Sequence, residues 1–222
     1  MKLLLTSGGI RNESIRTALQ NMLGKPFEEC DAVLIPTATY GHPYAGPKAA
    51  FNAISNSHGN GMGALGWKSV ALIELTALPS MREEGWLPIV ENADVMLVEG
   101  GDAAYLRHWM DESGMTARLP DLKAVYVGMS AGSMVMTPRT GPAFINWPEP
   151  RADDTMLGFV DFAIFPHMDY PGWETNTRAA AQKWFEIMDV PAYGLDDQSA
   201  IQVIDGEVEV ISEGDWVKFE RT

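Results

Sequence analysis

Short apolar runs recur along the chain: KLLLTSG, DAVLIPTA, SVALIEL, DVMLVEG, AVYVGMS and AIFPHM, each closed by polar or glycine residues. Several of the segments between them space their apolar residues at a helical period instead. Runs that are apolar throughout, rather than alternating, suit strands covered on both faces, the condition of a parallel sheet flanked by helices. The succession therefore predicts an α/β fold built on an open, doubly wound, mostly parallel sheet. Near the C-terminus the pattern changes. AIQVIDGEVEVIS is two alternating runs around Asp205-Gly206, a hairpin signal, so an antiparallel pair is expected to finish the fold. No linker, repeat or low-complexity stretch divides residues 1–222, which read as a single domain.

Composition narrows the classes of partner. With 222 residues, 46% of them hydrophobic, the chain can bury a substantial core without disulfides. Its one cysteine, Cys30, has no partner within the chain, which fits a reducing compartment. A formal net charge of -14 argues against nucleic acid or an anionic membrane as partner, since both require clustered Lys and Arg. The opening MKLLLTSGG is too briefly apolar for a signal peptide, and no other window is long enough to span a bilayer. The expectation is a cytoplasmic protein, with no oligomeric state specified.

Ligands of an open α/β sheet bind at the carboxyl ends of its strands. Those ends read Ser7-Gly8-Gly9, Thr37-Ala38-Thr39, Glu99-Gly100-Gly101-Asp102, Ser130-Ala131-Gly132 and His167-Met168-Asp169, followed by Asp196-Asp197 after AYGL. A serine, a histidine and carboxylates are thus expected on one rim.

Gly128-Met129-Ser130-Ala131-Gly132 fits G-x-S-x-G, the nucleophile elbow, in which a sharp strand-to-helix turn lifts the serine hydroxyl clear of the sheet. Glycines flank such a serine because side chains there would collide across the turn, and the helix that follows aims its first N–H groups at the site. The serine needs a base. Among the four histidines, His58 lies in a Ser/Asn/Gly-rich loop and His108 within the helical AAYLRHWM; His42 and His167 lie at strand ends. His167 directly follows AIFP and is preferred over His42 in the loop TYGHPYAGP. Asp196 and Asp197 form the pool for the carboxylate that holds the imidazole. The N–H of Ala131, with one from Gly100-Gly101, suits an oxyanion hole, since glycine lets backbone approach a reacting carbonyl closely.

LVEGGDAAYL, GMSAGSMV, FAIFPHMDY and AYGLDDQSAI, in this order and rough spacing, resemble the peptidase E family of serine peptidases, and MKLLLTSGGI and VLIPTAT resemble its first two strands. The likeness covers nearly the whole chain. It implies a class I glutamine amidotransferase-like fold, related to the flavodoxin-like architecture, and a serine–histidine–acid triad. By this resemblance Ser130 is the nucleophile, His167 the general base, and Gly101 and Ala131 the oxyanion hole. The family's acid, a glutamate, falls in register on Asp197, with Asp196 the rival. The order Ser, His, acid differs from the Ser, Asp, His of α/β-hydrolases. Glutamine amidotransferases have cysteine at the elbow, whereas Cys30 precedes the second strand.

Two departures concern the substrate. Members that prefer an N-terminal aspartate carry arginine in an ETR segment after the histidine, where ETNTR here puts Asn176, with Arg178 two residues later. Gly-Gly-Asp replaces the common Gly-Gly-Asn, so Asp102 brings a carboxylate beside the site. Asp102, Asn176 and Arg178 are the candidate substrate-binding residues, with Arg139 a further candidate for a substrate carboxylate. Trp147 and Trp173 flank the histidine strand and are candidate pocket walls.

The expected reaction is hydrolysis of short peptides, including Asp-X dipeptides, through an acyl-enzyme, with neither metal nor cofactor. The alternatives are a cyanophycinase-like isopeptidase or other amidase, and a non-catalytic small-molecule binding protein on the same fold. Gly61-Met62-Gly63-Ala64-Leu65-Gly66 matches G-x-G-x-x-G but lies after a helical segment and before a strand, so it reads as a loop.

Overall fold

The computed structural model describes residues 1–43, 46–57, 59–148 and 153–220. In chain order the strands are β1 (Lys2–Thr6), β2 (Asp31–Ile35), β3 (Ser69–Leu72), β4 (Val95–Val98), β5 (Val125–Met129), β6 (Ala163–Phe165), β7 (Ala192–Leu195), β8 (Ser199–Ile204), β9 (Glu207–Ser212) and β10 (Trp216–Phe219). The helices are α1 (Glu13–Leu23), α2 (Ala49–Ile54), α3 (Leu87–Glu91), α4 (Ala103–Glu112), α5 (Met115–Arg118), α6 (Ala131–Met134) and α7 (Arg178–Phe185).

Seven strands form one sheet in the order β3-β2-β4-β5-β1-β8-β9. The first five are parallel, β8 runs antiparallel to β1, and β9 antiparallel to β8. Successive residues of a strand face opposite sides, and here both sides are apolar. Leu4, Leu34, Leu97 and Val127 pack with Ile15 and Leu19 of α1. Leu5, Ile35, Val98 and Tyr126 pack with Leu106 and Met110 of α4. This is why the central strands read as unbroken apolar runs, each buried leucine contributing about 2 kcal/mol. Among the described residues no helix is long and apolar enough to cross a membrane.

Three expectations are corrected. SVALIEL reads as a buried strand, yet β3 lies at the sheet edge with Leu72 40% exposed. The hairpin forms as expected, with Asp205 at φ 52° and Gly206 at φ 86° joining Ile204 to Glu207, but it does not finish the fold. β10 follows and pairs antiparallel with β7. Finally, AIFPHM and AYGL do not extend the main sheet: β6 and β7 pair in parallel within a second sheet of order β10-β7-β6. The hairpin explains this, because β8 takes the edge of β1 that β6 or β7 would otherwise have joined. The second sheet still shares the main core through Ile164, Tyr193 and Leu195. The Gly61–Gly66 segment lies in a loop between α2 and β3, as its pattern predicts.

The elements therefore place Ser130 at the end of a strand of the large sheet and His167 and Asp197 just beyond strands of the small one. Whatever joins them crosses the seam between the sheets.

Candidate active site

Ser130 follows β5 with φ 49° and ψ -111°, a conformation that costs a non-glycine residue on the order of 1 to 3 kcal/mol. Backbone bonds hold it there. Its N–H donates to the Thr6 carbonyl at 3.0 Å, and its own carbonyl accepts from Ser133 and Met134 N–H at 2.9 and 2.8 Å. A Cβ at Gly128 would overlap the Gly132 carbonyl, whereas one at Gly132 would overlap the Val98 carbonyl of β4. The first glycine thus clears the turn, as expected, and the second clears the neighbouring strand.

His167 follows β6, also with a positive φ, 56°. Its Nε2 lies 2.9 Å from Ser130 Oγ and its Nδ1 2.6 Å from Asp197 Oδ1. With the Nδ1 proton donated to the carboxylate, Nε2 is left to accept from the serine hydroxyl. Asp197 is nearly buried, its side chain 10% exposed. Burial pushes the Asp197 carboxyl up, but the hydrogen bond and charge of His167, the charge of Arg11 and a hydrogen bond from Ser7 outweigh it, and the net shift is downward. Arg11 Nη1 stands 3.9 Å from Asp197 Oδ2. Asp196, the rival, belongs elsewhere: its Oδ1 accepts from Gln198 N–H and Ser199 Oγ and its Oδ2 from Asp215 N–H.

Gly100 lies against the serine and Gly101 against Ala38. A Cβ at Gly100 would sit 3.2 Å from that of Ser130, and one at Gly101, where φ is 147°, would overlap the Ala38 carbonyl. Ala131 opens α6, so its N–H has no partner within the helix. Gly100, Gly101 and Ala131 line a cavity of about 340 Å³ together with Ser130 and His167.

The substrate candidates divide. Asn176 lines the cavity, its Nδ2 donating to the Pro166 carbonyl at 3.1 Å. Trp173 lines it too, half exposed, with its ring centre 5.0 Å from that of His167. Asp102 does not line the cavity, contrary to what its place beside the site suggests. It is fully buried; its Oδ1 caps α4 by accepting from Tyr105 N–H, and its Oδ2 accepts from the N–H groups of Asn146 and Trp147. Arg178 is likewise turned away, toward Asp215 at 3.7 Å and the Trp216 carbonyl. Arg139 is engaged by Asp154 and Asp189. Trp147 packs on Tyr105 and His108, the ordinary place expected of a helical histidine. His58 lies outside the described residues. His42, the rival base, lines the same cavity as Ser130.

Sequence reasoning gave no role to Ser7 or Arg11, although Ser7 was placed on the rim; their meaning depends on which strand ends β1 meets. Glu99, on the same rim, likewise has no role in that reading. Only 4% exposed, Glu99 accepts from Asn60 Nδ2 at 2.9 Å through Oε2 while Oε1 has no partner among the described residues. Burial pushes its carboxyl up to about 7, against the opposing effect of the Asn60 bond.

Fold and site together have the form of an α/β enzyme with an elbow serine set against a histidine and a carboxylate. The model of peptidase family S51 matches residues 3–211, and the chain belongs to that family, in agreement with the peptidase E resemblance of its motifs. A solved structure of a candidate peptidase E protein from Listeria monocytogenes EGD-e aligns with a TM-score of 0.70 at 17% identity, over 96% of this chain and 98% of that one. That of a peptidase from an acI-B1 Actinobacterium aligns with a TM-score of 0.60, also at 17% identity, over 98% of this chain and 93% of that one. At such identity the likeness speaks to the fold. No curated protein matches the chain.

Proposed function

We propose that this protein is a serine-type peptidase of the peptidase E kind that hydrolyses short peptides through Ser130, His167 and Asp197. The observation that carries the reading is the unbroken hydrogen-bonded line from Ser130 Oγ through both imidazole nitrogens to Asp197 Oδ1, at 2.9 and 2.6 Å. Ser130 Oγ attacks the scissile carbonyl while His167 Nε2 takes its proton. Asp197 holds the ring in the required tautomer and stabilises the imidazolium. The N–H groups of Ala131 and Gly101 receive the developing oxyanion. His167 then returns the proton to the leaving amine, and a water, deprotonated by the same nitrogen, releases the acyl group as a carboxylic acid. The route requires neither metal nor cofactor.

The acyl-side preference follows from where the cations stand. Arg178 pairs with Asp215, and Asn176 occupies the cavity in the register of the family's arginine. This supports an uncharged acyl residue over aspartate. The same observation favours a second reading, an isopeptidase or amidase acting on another amide.

Hydrolysis of Asp-X, Glu-X, Asn-X and Leu-X dipeptides, beside an isopeptide and a simple amide, by wild type and Ser130→Ala tests both. The expected result is Ser130-dependent cleavage with Asn-X or Leu-X ahead of Asp-X. Cleavage of Asp-X alone overturns the acyl preference. Ser130-dependent turnover of isopeptides or simple amides, with every dipeptide left intact, establishes the second reading; no turnover of any amide overturns both.

A further inference from the structure

The loop from Ser7 to Arg11, between β1 and α1, takes no part in the chemistry above, yet it closes around both the histidine and its aspartate. Ser7 is fully buried. Its Oγ accepts from the backbone N–H of His167 at 2.7 Å, and it lies 3.3 Å from Asp197 Oδ1 and 3.2 Å from the Leu195 carbonyl. A hydroxyl has one proton and two lone pairs, so it accepts from His167 while donating to the carboxylate or the carbonyl. Beside it, Gly8 is pressed so closely on Asp197 that a Cβ there would sit 2.6 Å from the carboxyl carbon. Arg11 reaches back to the Gly8 carbonyl at 2.7 Å and presents its charge to Asp197 Oδ2.

The topology gives these contacts their weight. β1 belongs to the large sheet, while His167 and Asp197 follow strands of the small one. The Ser130–His167 hydrogen bond crosses the seam between them, and a displacement of even 1 Å across such a bond costs about a hundredfold in rate. His167 also has a positive φ, and in the absence of the Ser7 hydroxyl its amide loses the acceptor given above.

We propose that Ser7 is a positioning residue: its hydroxyl fixes His167 against Ser130 and, by touching Asp197, holds the pair in one orientation across the seam. This rests on the serine-peptidase reading.

The test is a double-mutant cycle of Ser7→Ala and Asp197→Asn, read by steady-state hydrolysis of the best dipeptide of the panel and by the rate at which a fluorophosphonate labels Ser130. Ser7→Ala is expected to lower kcat on the order of 10- to 100-fold with KM changed less than about twofold, and to slow labelling by a similar factor. In the Asp197→Asn background the same change should cost less than about threefold, because the ring is already misheld. Three results overturn the inference: Ser7→Ala within about twofold of wild type, a loss carried by KM, or the full factor persisting in the Asp197→Asn background. If thermal melting shows that Ser7→Ala does not fold, Ser7→Cys takes its place. It fills the same space with a thiol that accepts from the His167 N–H only weakly, so the same loss of kcat is expected and an unchanged kcat overturns the inference. A wild-type protein with no Ser130-dependent turnover or labelling overturns the serine-peptidase reading and this inference with it. An active wild type with an indifferent Ser7→Ala overturns the inference alone.

Discussion

The two halves of the candidate site are held by opposite means. Ser130 is set by the backbone of the large sheet, through amide and carbonyl bonds and through glycines whose missing Cβ atoms let strand, turn and helix approach. His167 and Asp197 are set by side chains, the hydroxyl of Ser7 and the guanidinium of Arg11, reaching over from the large sheet to the small one. A backbone-built site is rigid but intolerant of added atoms; a side-chain-built one tolerates substitution structurally and loses alignment instead. The carboxylates repeat the contrast. Asp197, given partners, titrates below its ordinary range, while Glu99, buried with one oxygen unpartnered, is pushed up to about 7.

The sharpest probe of the backbone-held half is Ser130→Ala, expected to lower kcat by about 10⁴-fold or more with the melting temperature nearly unchanged, since only a hydroxyl is lost. Dipeptide hydrolysis and a thermal melt check both parts. On the other half, Asp197→Asn should cost on the order of 10³- to 10⁴-fold in kcat by presenting the wrong imidazole tautomer, again in a folded protein. If it leaves the rate within tenfold, the line through His167 does not carry the reaction.

Stability should separate the halves next. Gly132→Ala forces a Cβ into the Val98 carbonyl and is expected to cost at least about 2 kcal/mol in urea denaturation. A destabilisation under 0.5 kcal/mol, roughly the surface-substitution level, means that the elbow has room that its backbone contacts deny.

Glu99 gives a pH signature of opposite sign to Asp197. Burial pushes its folded carboxyl up to about 7 from the 4.5 of a free glutamate, so between these values the folded state holds a proton that the unfolded state has released. Stability therefore falls as pH rises through that interval and levels off above it, by at most about 3 kcal/mol. Asp197 works the other way, adding stability at neutral pH that is lost as pH falls through its lowered pKa. Glu99→Gln should flatten the loss between pH 5 and pH 8 in urea midpoints; an undiminished loss assigns it to another group. The smallest effect is expected of Arg178→Ala, whose side chain faces Asp215: kcat/KM on the preferred dipeptide should stay within about twofold of wild type.

Much of this was legible in the chain. The apolar runs of β1, β2, β4 and β5 announce strands buried on two faces, G-x-S-x-G announces the elbow, and Asp205-Gly206 the hairpin, because each depends on residues adjacent in sequence. Three features were not. Asp102 reads as a carboxylate beside the site, and only the fold turns both its oxygens onto the backbone of α4 and the 146–147 segment. Arg178 is two residues from the family's register, and its direction depends on β10, which no motif announced. Ser7 was on the rim without a role.

The sequence by itself determined the parallel sheet, the elbow at Ser130, and the order in which serine, histidine and acid follow one another, since periodicity, turn chemistry and motif spacing are local properties of a chain. Only the tertiary structure decided that β6 and β7 stand apart in a second sheet, that Asp197 rather than Asp196 meets His167, and that Ser7 spans the seam between them. Those outcomes depend on which C-terminal strand takes the open edge of β1, at the far end of the chain, a competition that packing settles and no short window of sequence contains.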